Sequence, residues 1–366
     1  MTVNHPEITG RRLWNQHVAL DSPANSPKDA LTSLGALQAQ DYQAALWAIG
    51  LRCRDSTVED VEEAIAKKEI SRTWLMRGTL HFAASEDVHW MLKLFAPRLI
   101  NTAVSRDRSL GLGDDVVKKA EDLFAKALRG NKRLTRDEMY RVLDRGGVRI
   151  EKNLGYHMLY RAAWDGVICF GAHEGKQPAF ELLDERITLK GYPNGDAPAE
   201  LASRYFTSHG PATVKDFVWW SGLRVSDAKA GIEASRALAS EESDGKTYYM
   251  AREVPASGGN DGAVHLLPAF DEYLVGYSDR SAMLGSEETQ KALGSGKLLF
   301  THSNGIFLPV AVAEGEVVGT WRRRNEPSRV VVTVQPFARL SEERMKAVKE
   351  AAQRYGDFLG RTVALA

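Results

Sequence analysis

One order of elements occurs three times along this chain: two or three short helices, a turn, and two β-rich stretches that can pair as a hairpin. In the clearest copy, Thr135 is a predicted N-cap and Glu138 stands three residues later, which completes a capping box. The helix that follows is predicted to run to Arg145 and to end at Gly146 and Gly147. This repetition restricts the chain to folds that combine short helices with hairpins.

The same copy continues with a second predicted helix, which carries apolar residues at helical spacing from Leu154 to Ala162 and ends at Gly166. VICF at 167–170 and AFELL at 179–183 then flank a segment whose Gly and Pro suit a hairpin tip. Helices followed by a hairpin in this order are typical of the winged helix-turn-helix. The sequence therefore predicts an α+β fold with tandem winged helix-turn-helix motifs.

A later copy starts with residues 204–223, where Thr213 can cap a short helix and Gly222 can end it. Residues 224–238 supply the following predicted helix, and residues 246–254 supply an alternating strand.

The first copy is longer than the other two. Its predicted helices lie between Thr9 and Lys68. Its hairpin is the stretch at 70–82, which is predicted to turn near Arg77 and Gly78.

After about residue 255 the chain changes to glycine-rich loops and strands. Residues 307–324 predict a hairpin turned at Glu314 and Gly315, residues 329–337 add a strand, and residues 341–359 predict a final amphipathic helix. The domain joints are expected in two linkers, and a further boundary after residue 115 gives four segments in all. The linkers are 193–198 and 255–262; the segments are three winged helices at 1–115, 116–195 and 196–256, and a β-rich region at 257–366.

Charge is balanced overall but not locally. The 366 residues hold 48 basic and 48 acidic side chains, whereas residues 118–161 hold twelve basic and six acidic ones. Arg322, Arg323 and Arg324 follow Trp321 directly. Positive charge beside aromatic residues is a pattern of phosphate-backbone binding, and solvated helix faces are the alternative interpretation. The predicted DNA contacts from these regions are Lys132, Arg133, Arg149, Lys152, Trp321, Arg322, Arg323 and Arg324.

Several classes of protein are disfavoured by what the sequence lacks. Cys53 and Cys169 are far apart and form no C-x-x-C pair, and the nine histidines form no H-x-x-x-H pair. We therefore expect neither a metal nor another cofactor. No apolar run approaches the roughly 20 residues that span a bilayer, and the first residues lack the apolar core of a secretory signal. A cytoplasmic protein is expected, at the nucleoid when it acts on DNA.

The segment at 31–51 holds the candidate catalytic residues. A helix that continued to Gln38 would place this amide on its own apolar stripe, and a second stripe restarts after Asp41, a predicted N-cap. We therefore expect a break at 38–40. In a locally extended segment, Gln38 and Gln40 point the same way at the start of a helix. That helix start carries free N–H groups and partial positive charge.

A glutamine amide is no general base near neutral pH, but it offers one acceptor and two donors in a fixed plane. The Gln38 and Gln40 amides together can orient one water molecule. The alternative is a pair of helix-turn glutamines that satisfy local backbone groups.

Five stretches together resemble the winged-helix DNA glycosylases, the AlkZ/YcaQ-like family. They occur in the order in which the family has them and cover nearly the whole chain. The stretches are LGALQAQDY at 34–42, SRTWLMRGTLHF at 71–82, YFTSHGPATVKDFVWWSGL at 205–223, LLPAFDEYLVGYSDR at 266–280 and VVGTW at 317–321.

The resemblance implies three tandem winged helices in a C-shaped clamp. It also implies excision of alkylated bases from double-stranded DNA, including the unhooking of interstrand crosslinks at guanine N7. The family's motif is Gln, an apolar residue and Gln in the AlkZ branch, and Asp takes the last place in the YcaQ branch. Gln38, Ala39 and Gln40 resemble the first form. Asp271, Glu272 and Arg280 are implied to line the cleft, and a structural ion-pair network is the alternative for them. Arg77 and His81 are candidate contacts with the DNA strand near the lesion. The alternative is that Arg77 pairs with a carboxylate in the core and that His81 is a buried strand residue.

Glutamine amides are sufficient for the excision of guanine alkylated at N7. Guanine alkylated at N7 is already cationic, so it departs without a general acid, and the sugar gains oxocarbenium character. An enzyme then has only to place a water and stabilise that cation with oriented dipoles. An undamaged base lacks the charge, so weak catalytic groups would spare normal DNA.

Two other classes of protein remain open from the sequence. A transcription regulator would usually dimerise and read a palindrome with identical recognition helices. The candidate recognition helices here, around 152–164 and 226–238, differ in sequence, so a monomeric clamp is expected instead. A protein-docking scaffold without nucleic acid is the third possibility.

Overall fold

A computed structural model describes residues 5–150, 154–187, 196–253, 261–285, 300–301 and 306–366 of the chain. These residues form a mixed α and β architecture with two compact units. The first unit joins the N-terminal residues up to Val61 with Pro198–Ala366, and the second is Glu62–Ala197. The four segments with boundaries after residues 115, 195 and 256 stay a prediction. The two predicted linkers lie mostly outside the described residues.

Helices connect most of the strands. In chain order they are α1 (His5–Asn15), α2 (Pro27–Leu34), α3 (Tyr42–Gly50), α4 (Val58–Ala66), α5 (Val88–Ser109), α6 (Asp114–Leu128), α7 (Arg136–Arg145), α8 (Leu154–Trp164), α9 (Leu183–Arg186), α10 (Ala197–His209), α11 (Val214–Ser221), α12 (Val225–Ala234), α13 (Glu272–Val275), α14 (Ser281–Leu284) and α15 (Glu342–Phe358). In the described part of the chain, no helix is long and apolar enough to span a membrane.

The strands are short except in the last hundred residues. In chain order they are β1 (Leu37–Gln38), β2 (Ile70–Trp74), β3 (Leu80–Ala84), β4 (Leu134–Thr135), β5 (Ile168–Phe170), β6 (Ala179–Leu182), β7 (Leu238–Ser243), β8 (Lys246–Ala251), β9 (Val264–Leu267), β10 (Phe300–Thr301), β11 (Ile306–Phe307), β12 (Val310–Ala313), β13 (Glu316–Asn325), β14 (Arg329–Pro336) and β15 (Thr362–Leu365).

In the second unit, antiparallel strands lie in the order β3-β2-β5-β6-β4. The predicted capping box is confirmed, because the Thr135 hydroxyl accepts from the Glu138 backbone and the Glu138 carboxylate accepts from the Thr135 backbone. The hairpin of β5 and β6 is also confirmed. Its aromatic core forms between Trp74, Phe170 and Phe180, with Phe170 and Phe180 ring centroids 4.5 Å apart. These rings and the buried residues of α6, α7 and α8 form one hydrophobic core against the sheet.

In the first unit, the sheet order is β15-β14-β13-β12-β9, and only the β14 and β15 pair is parallel. The predicted hairpin with its turn at Glu314 and Gly315 is confirmed, and so is the final helix, α15. The Trp47 ring packs against Phe358 of α15 at a centroid distance of 5.1 Å. A side chain at Gly50 would overlap the Phe358 ring, so only glycine allows α3 this close to α15.

Two helix ends differ from expectation. The helix predicted over 224–238 stops at Ala234, because β7 begins at Leu238. Helix α2 ends at Leu34, four residues before Gln38, since Gly35 has a φ of +81° that ends the helix.

Candidate active site around Gln38 and Gln40

The segment that carries the two glutamines is extended, as predicted. Leu37 and Ala39 are fully buried, whereas Gln38 is half-buried and Gln40 is exposed. This alternation is the period of two that an extended chain gives. The glutamines therefore share the outward side of the segment, and Ala39 anchors its inner side.

Helix α3 begins directly after Gln40. The Asp41 carboxylate accepts a hydrogen bond from the Ala44 backbone N–H at 3.1 Å, so the predicted N-cap is confirmed. From Ala44 to Gly50 the helix is buried throughout, which fixes it in the first unit. The glutamine segment thus precedes a rigid helix N-terminus, whose N–H groups carry partial positive charge.

A buried carboxylate binds the backbone of this segment. Glu272 is fully buried, and its Oε1 accepts from the Gln38 backbone N–H at 2.8 Å. Its Oε2 accepts from the Trp220 indole N–H at 2.9 Å and lies 3.5 Å from His209 Nε2. Burial lowers the pKa of His209 even though Glu272 opposes this shift, so the ring is neutral at pH 7. One carboxylate therefore fixes Gln38 relative to α10 and α11.

The neighbouring residue, Asp271, lies in a second buried interaction. Its two oxygens accept from Arg52 at 2.8 Å each, and both side chains are fully buried. Arg52 also donates to the Ala48 carbonyl and to Gln16, which in turn donates to the Tyr277 hydroxyl. The ion-pair interpretation of Asp271 is therefore confirmed. The sequence did not indicate Arg52 as its partner.

An aromatic and cationic cluster lies on α11 and the loop after α13. The predicted residue Arg280 donates to the Leu274 carbonyl, and its guanidinium lies 5.4 Å from the Trp219 ring and 5.0 Å from the Phe307 ring. Trp219 is 45% exposed, whereas the adjacent Trp220 is fully buried. Sequence analysis missed both tryptophans as site residues, although the Trp-Trp pair on a short helix was the available signal.

Arg77 and His81 belong to the second unit. Arg77 has a φ of +56° at the tip between β2 and β3, and its side chain is half-buried. A left-handed conformation is unfavourable for a residue with a side chain, and such positions often occur at functional sites. His81 is fully buried within β3, and its Nδ1 bonds the Thr79 carbonyl at 2.9 Å. His81 therefore has the environment of a buried strand residue.

The remaining basic candidates of the second unit differ in their pairing. Lys132, Arg133 and Arg149 are all exposed. Arg133 forms an ion pair at 2.9 Å with Glu174 of the hairpin tip, so part of its charge is neutralised. Lys152 lies outside the described residues.

The candidates on β13 alternate between core and surface. Trp321 is 4% exposed, donates to the Leu267 carbonyl and packs on Tyr355, so its indole belongs to the core. Arg322 and Arg324 are exposed, and Arg324 pairs with Glu326 at 2.8 Å. Arg323 is half-buried and lies 5.9 Å from the Tyr355 ring.

The described residues contain no group of three or more metal-ligating side chains. Comparison with known proteins defines the class. The family profile described as "DNA glycosylase AlkZ-like" matches residues 31–358. The chain belongs to the AlkZ-like DNA glycosylase family, whose members hydrolyse N-glycosidic bonds in DNA.

Two named proteins are similar over nearly the full length. An "Interstrand DNA cross-link repair glycosylase" of Streptomyces sahachiroi is 28% identical over 360 residues and covers 93% of each chain. The solved structure of the Streptomyces sahachiroi DNA glycosylase AlkZ aligns with a TM-score of 0.78 over 100% of both chains, at 24% identity. The family match does not favour the transcription-regulator alternative.

Proposed function

We propose that this protein excises cationic N7-alkylated purines from double-stranded DNA and can unhook interstrand crosslinks. Gln38 and Gln40 hold the attacking water, and the chain acts as a monomer with tandem winged helices. The observation that carries this proposal is the pair of outward glutamine side chains on an anchored, extended segment. The similar crosslink-repair glycosylase of Streptomyces sahachiroi supports the substrate class.

The reaction needs little acid or base chemistry from the protein. The alkylated purine already carries a positive charge, so the C1′–N9 bond breaks as its electrons neutralise the base. Water then adds to the oxocarbenium carbon and releases a proton to solvent. Amide oxygens from Gln38 and Gln40 can accept from that water and stabilise the positive sugar. The enzyme contributes position rather than a strong base.

Two carboxylates, the buried Glu272 and the exposed Asp41, fix the position of the glutamine segment. Because Glu272 binds the Gln38 N–H, the amide side chain starts from a fixed backbone atom. Asp41 fixes the other end of the segment through α3. A preorganised site of this kind loses little energy to reorganisation during the reaction.

Further DNA contacts are proposed for one exposed arginine, Arg322, for the half-buried Arg280 and Arg77, and for an aromatic ring. We assign Arg280, Arg322 and Arg77 to phosphate contacts, and Trp219 to a contact with the bases near the lesion. Arg280 lies against the partly exposed Trp219 ring, which gives one patch both charge and stacking area. Lys132, Arg133 and Arg149 extend the phosphate contacts on the second unit.

The test is release of N7-methylguanine from a duplex by wild type and by the Gln38→Ala, Gln40→Ala double variant. The matched control is Gln43→Ala, an exposed glutamine on the first turn of α3. We expect the double variant to lose on the order of a hundredfold or more in release. The control should keep wild-type release, and all three proteins should bind the duplex.

Two results would contradict the proposal. Equal release by the double variant and by Gln43→Ala would remove the glutamines from the chemistry. Rapid release of uracil, a neutral lesion, would show that the enzyme does not depend on the charge of the leaving base.

A further inference from the structure

A groove on the second unit lies between α5, α7 and α8, away from the glutamine segment in the chain. Its walls include three tyrosines, Tyr140 of α7 with Tyr156 and Tyr160 of α8. Tyr156 is 39% exposed, and its ring centroid is 5.8 Å from that of Tyr160. All three rings are partly exposed in the same groove, so their exposed surface is available for stacking on a flat ligand.

The rings are held in place. The Tyr160 hydroxyl hydrogen-bonds His157 Nδ1, and the Tyr160 ring packs on Trp164 at 4.5 Å. Tyr140 lies so close to α8 that a side chain at Gly155 would overlap its ring at 2.6 Å. The groove therefore presents preformed aromatic faces, which lose little entropy when a ligand binds.

The lining of the groove carries more positive than negative charge. Arg106 of α5 and Arg136 of α7 line it, and both are exposed. Within the described ranges, neither forms an ion pair, whereas the nearby Arg161 is bound to Asp107 at 2.8 Å. Asp137 is the acidic residue of the lining. Unpaired guanidinium groups beside aromatic faces match a ligand that has both phosphates and flat rings.

We propose that this groove binds an unpaired nucleotide of single-stranded DNA. The base stacks on Tyr156 and Tyr160, and the flanking phosphates bind Arg106 and Arg136. In a duplex the base faces are covered by their neighbours, so a tyrosine groove selects unpaired nucleotides. The groove belongs to the second unit and the two glutamines to the first, and the proposal does not rest on base excision by Gln38 and Gln40.

The experiment measures binding of undamaged, fluorescein-labelled oligothymidine and of an undamaged duplex of the same length. The proteins are full-length wild type, Tyr156→Ala, Tyr156→Phe, Arg136→Ala and the matched control Arg141→Ala. Arg141 is exposed on the same helix as Arg136 and does not line the groove. Undamaged DNA keeps the result independent of excision.

We expect Tyr156→Ala to weaken oligothymidine binding by roughly fivefold to a hundredfold and Tyr156→Phe to retain it. Duplex binding by Tyr156→Ala should stay within about twofold of wild type. Arg136→Ala should flatten the salt dependence for oligothymidine by about 0.7 per lost phosphate, and Arg141→Ala should not.

The proposal fails if wild type does not bind oligothymidine, or if Tyr156→Ala binds it as well as wild type. It also fails if Tyr156→Ala weakens both DNA forms equally, since the groove would then be a duplex contact. Should Tyr156→Ala unfold, the comparison of Arg136→Ala with Arg141→Ala decides the question: equal oligothymidine affinities and salt slopes refute the site.

Discussion

Replacing Glu272 tests whether a buried carboxylate fixes the glutamine segment. In Glu272→Ala, the fully buried Trp220 indole N–H loses its acceptor, and so does the backbone N–H of half-buried Gln38. An unsatisfied buried donor costs about 1–3 kcal/mol and a half-buried one costs less, so the variant should lose about 2–4 kcal/mol of unfolding free energy. Glu272→Gln keeps one acceptor oxygen and should lose about half as much. An exposed control, Glu233→Gln, should change stability by less than about 0.5 kcal/mol.

Urea unfolding followed by tryptophan fluorescence gives the three free energies. Hydrogen exchange of a peptide covering residues 36–42 then reports on the segment itself, and exchange should accelerate in Glu272→Ala under native conditions. If Glu272→Ala costs less than about 1 kcal/mol and exchange at 36–42 is unchanged, the carboxylate does not hold the segment and the reasoning is refuted.

Three further predictions concern buried ionisable groups. Arg52→Met should destabilise the protein by about 3–5 kcal/mol because Asp271 is left buried without its partner, and Arg52→Met with Asp271→Leu should recover most of this loss in urea unfolding. Burial raises the pKa of Glu121 to about 7, above its unfolded value of about 4.3, so its contribution to stability falls as pH rises between these values. Glu121→Gln should therefore raise the unfolding free energy at pH 8 and leave it unchanged at pH 4; an equal gain at both pH values would contradict this. Burial raises the pKa of Cys53 and of Cys169 to about 12, so iodoacetamide at pH 8 should label neither thiol until the protein is unfolded, as mass spectrometry can check.

Local signals in the sequence predicted local structure well. A Thr with Glu three residues later specified the start of α7, and Asp41 specified the start of α3, because capping depends on residues within one helical turn. The alternation of Gln38, Ala39 and Gln40 also followed from neighbouring residues. Each of these features depends on fewer than ten consecutive residues.

The supports of the candidate site could not be predicted in this way. Glu272 is 234 residues from Gln38 in sequence, and Asp271 is 219 residues from Arg52. Periodicity shows that a residue is buried but does not identify its partner. The same limit applies to Trp219 and Trp220, since adjacent identical residues acquire different environments only from the tertiary packing of α11.

The first unit is built from two separated stretches of chain, and this sets an order for its synthesis. Glu272 and Asp271 leave the ribosome more than 200 residues after Val61, at the end of the first stretch. At about 5–20 residues per second, the N-terminal stretch waits roughly ten seconds or more for these carboxylates. During that interval the second unit, Glu62–Ala197, is synthesised. The nascent chain therefore contains the whole second unit before the first unit can be completed, and the glutamine segment is fixed only after Glu272 has been made.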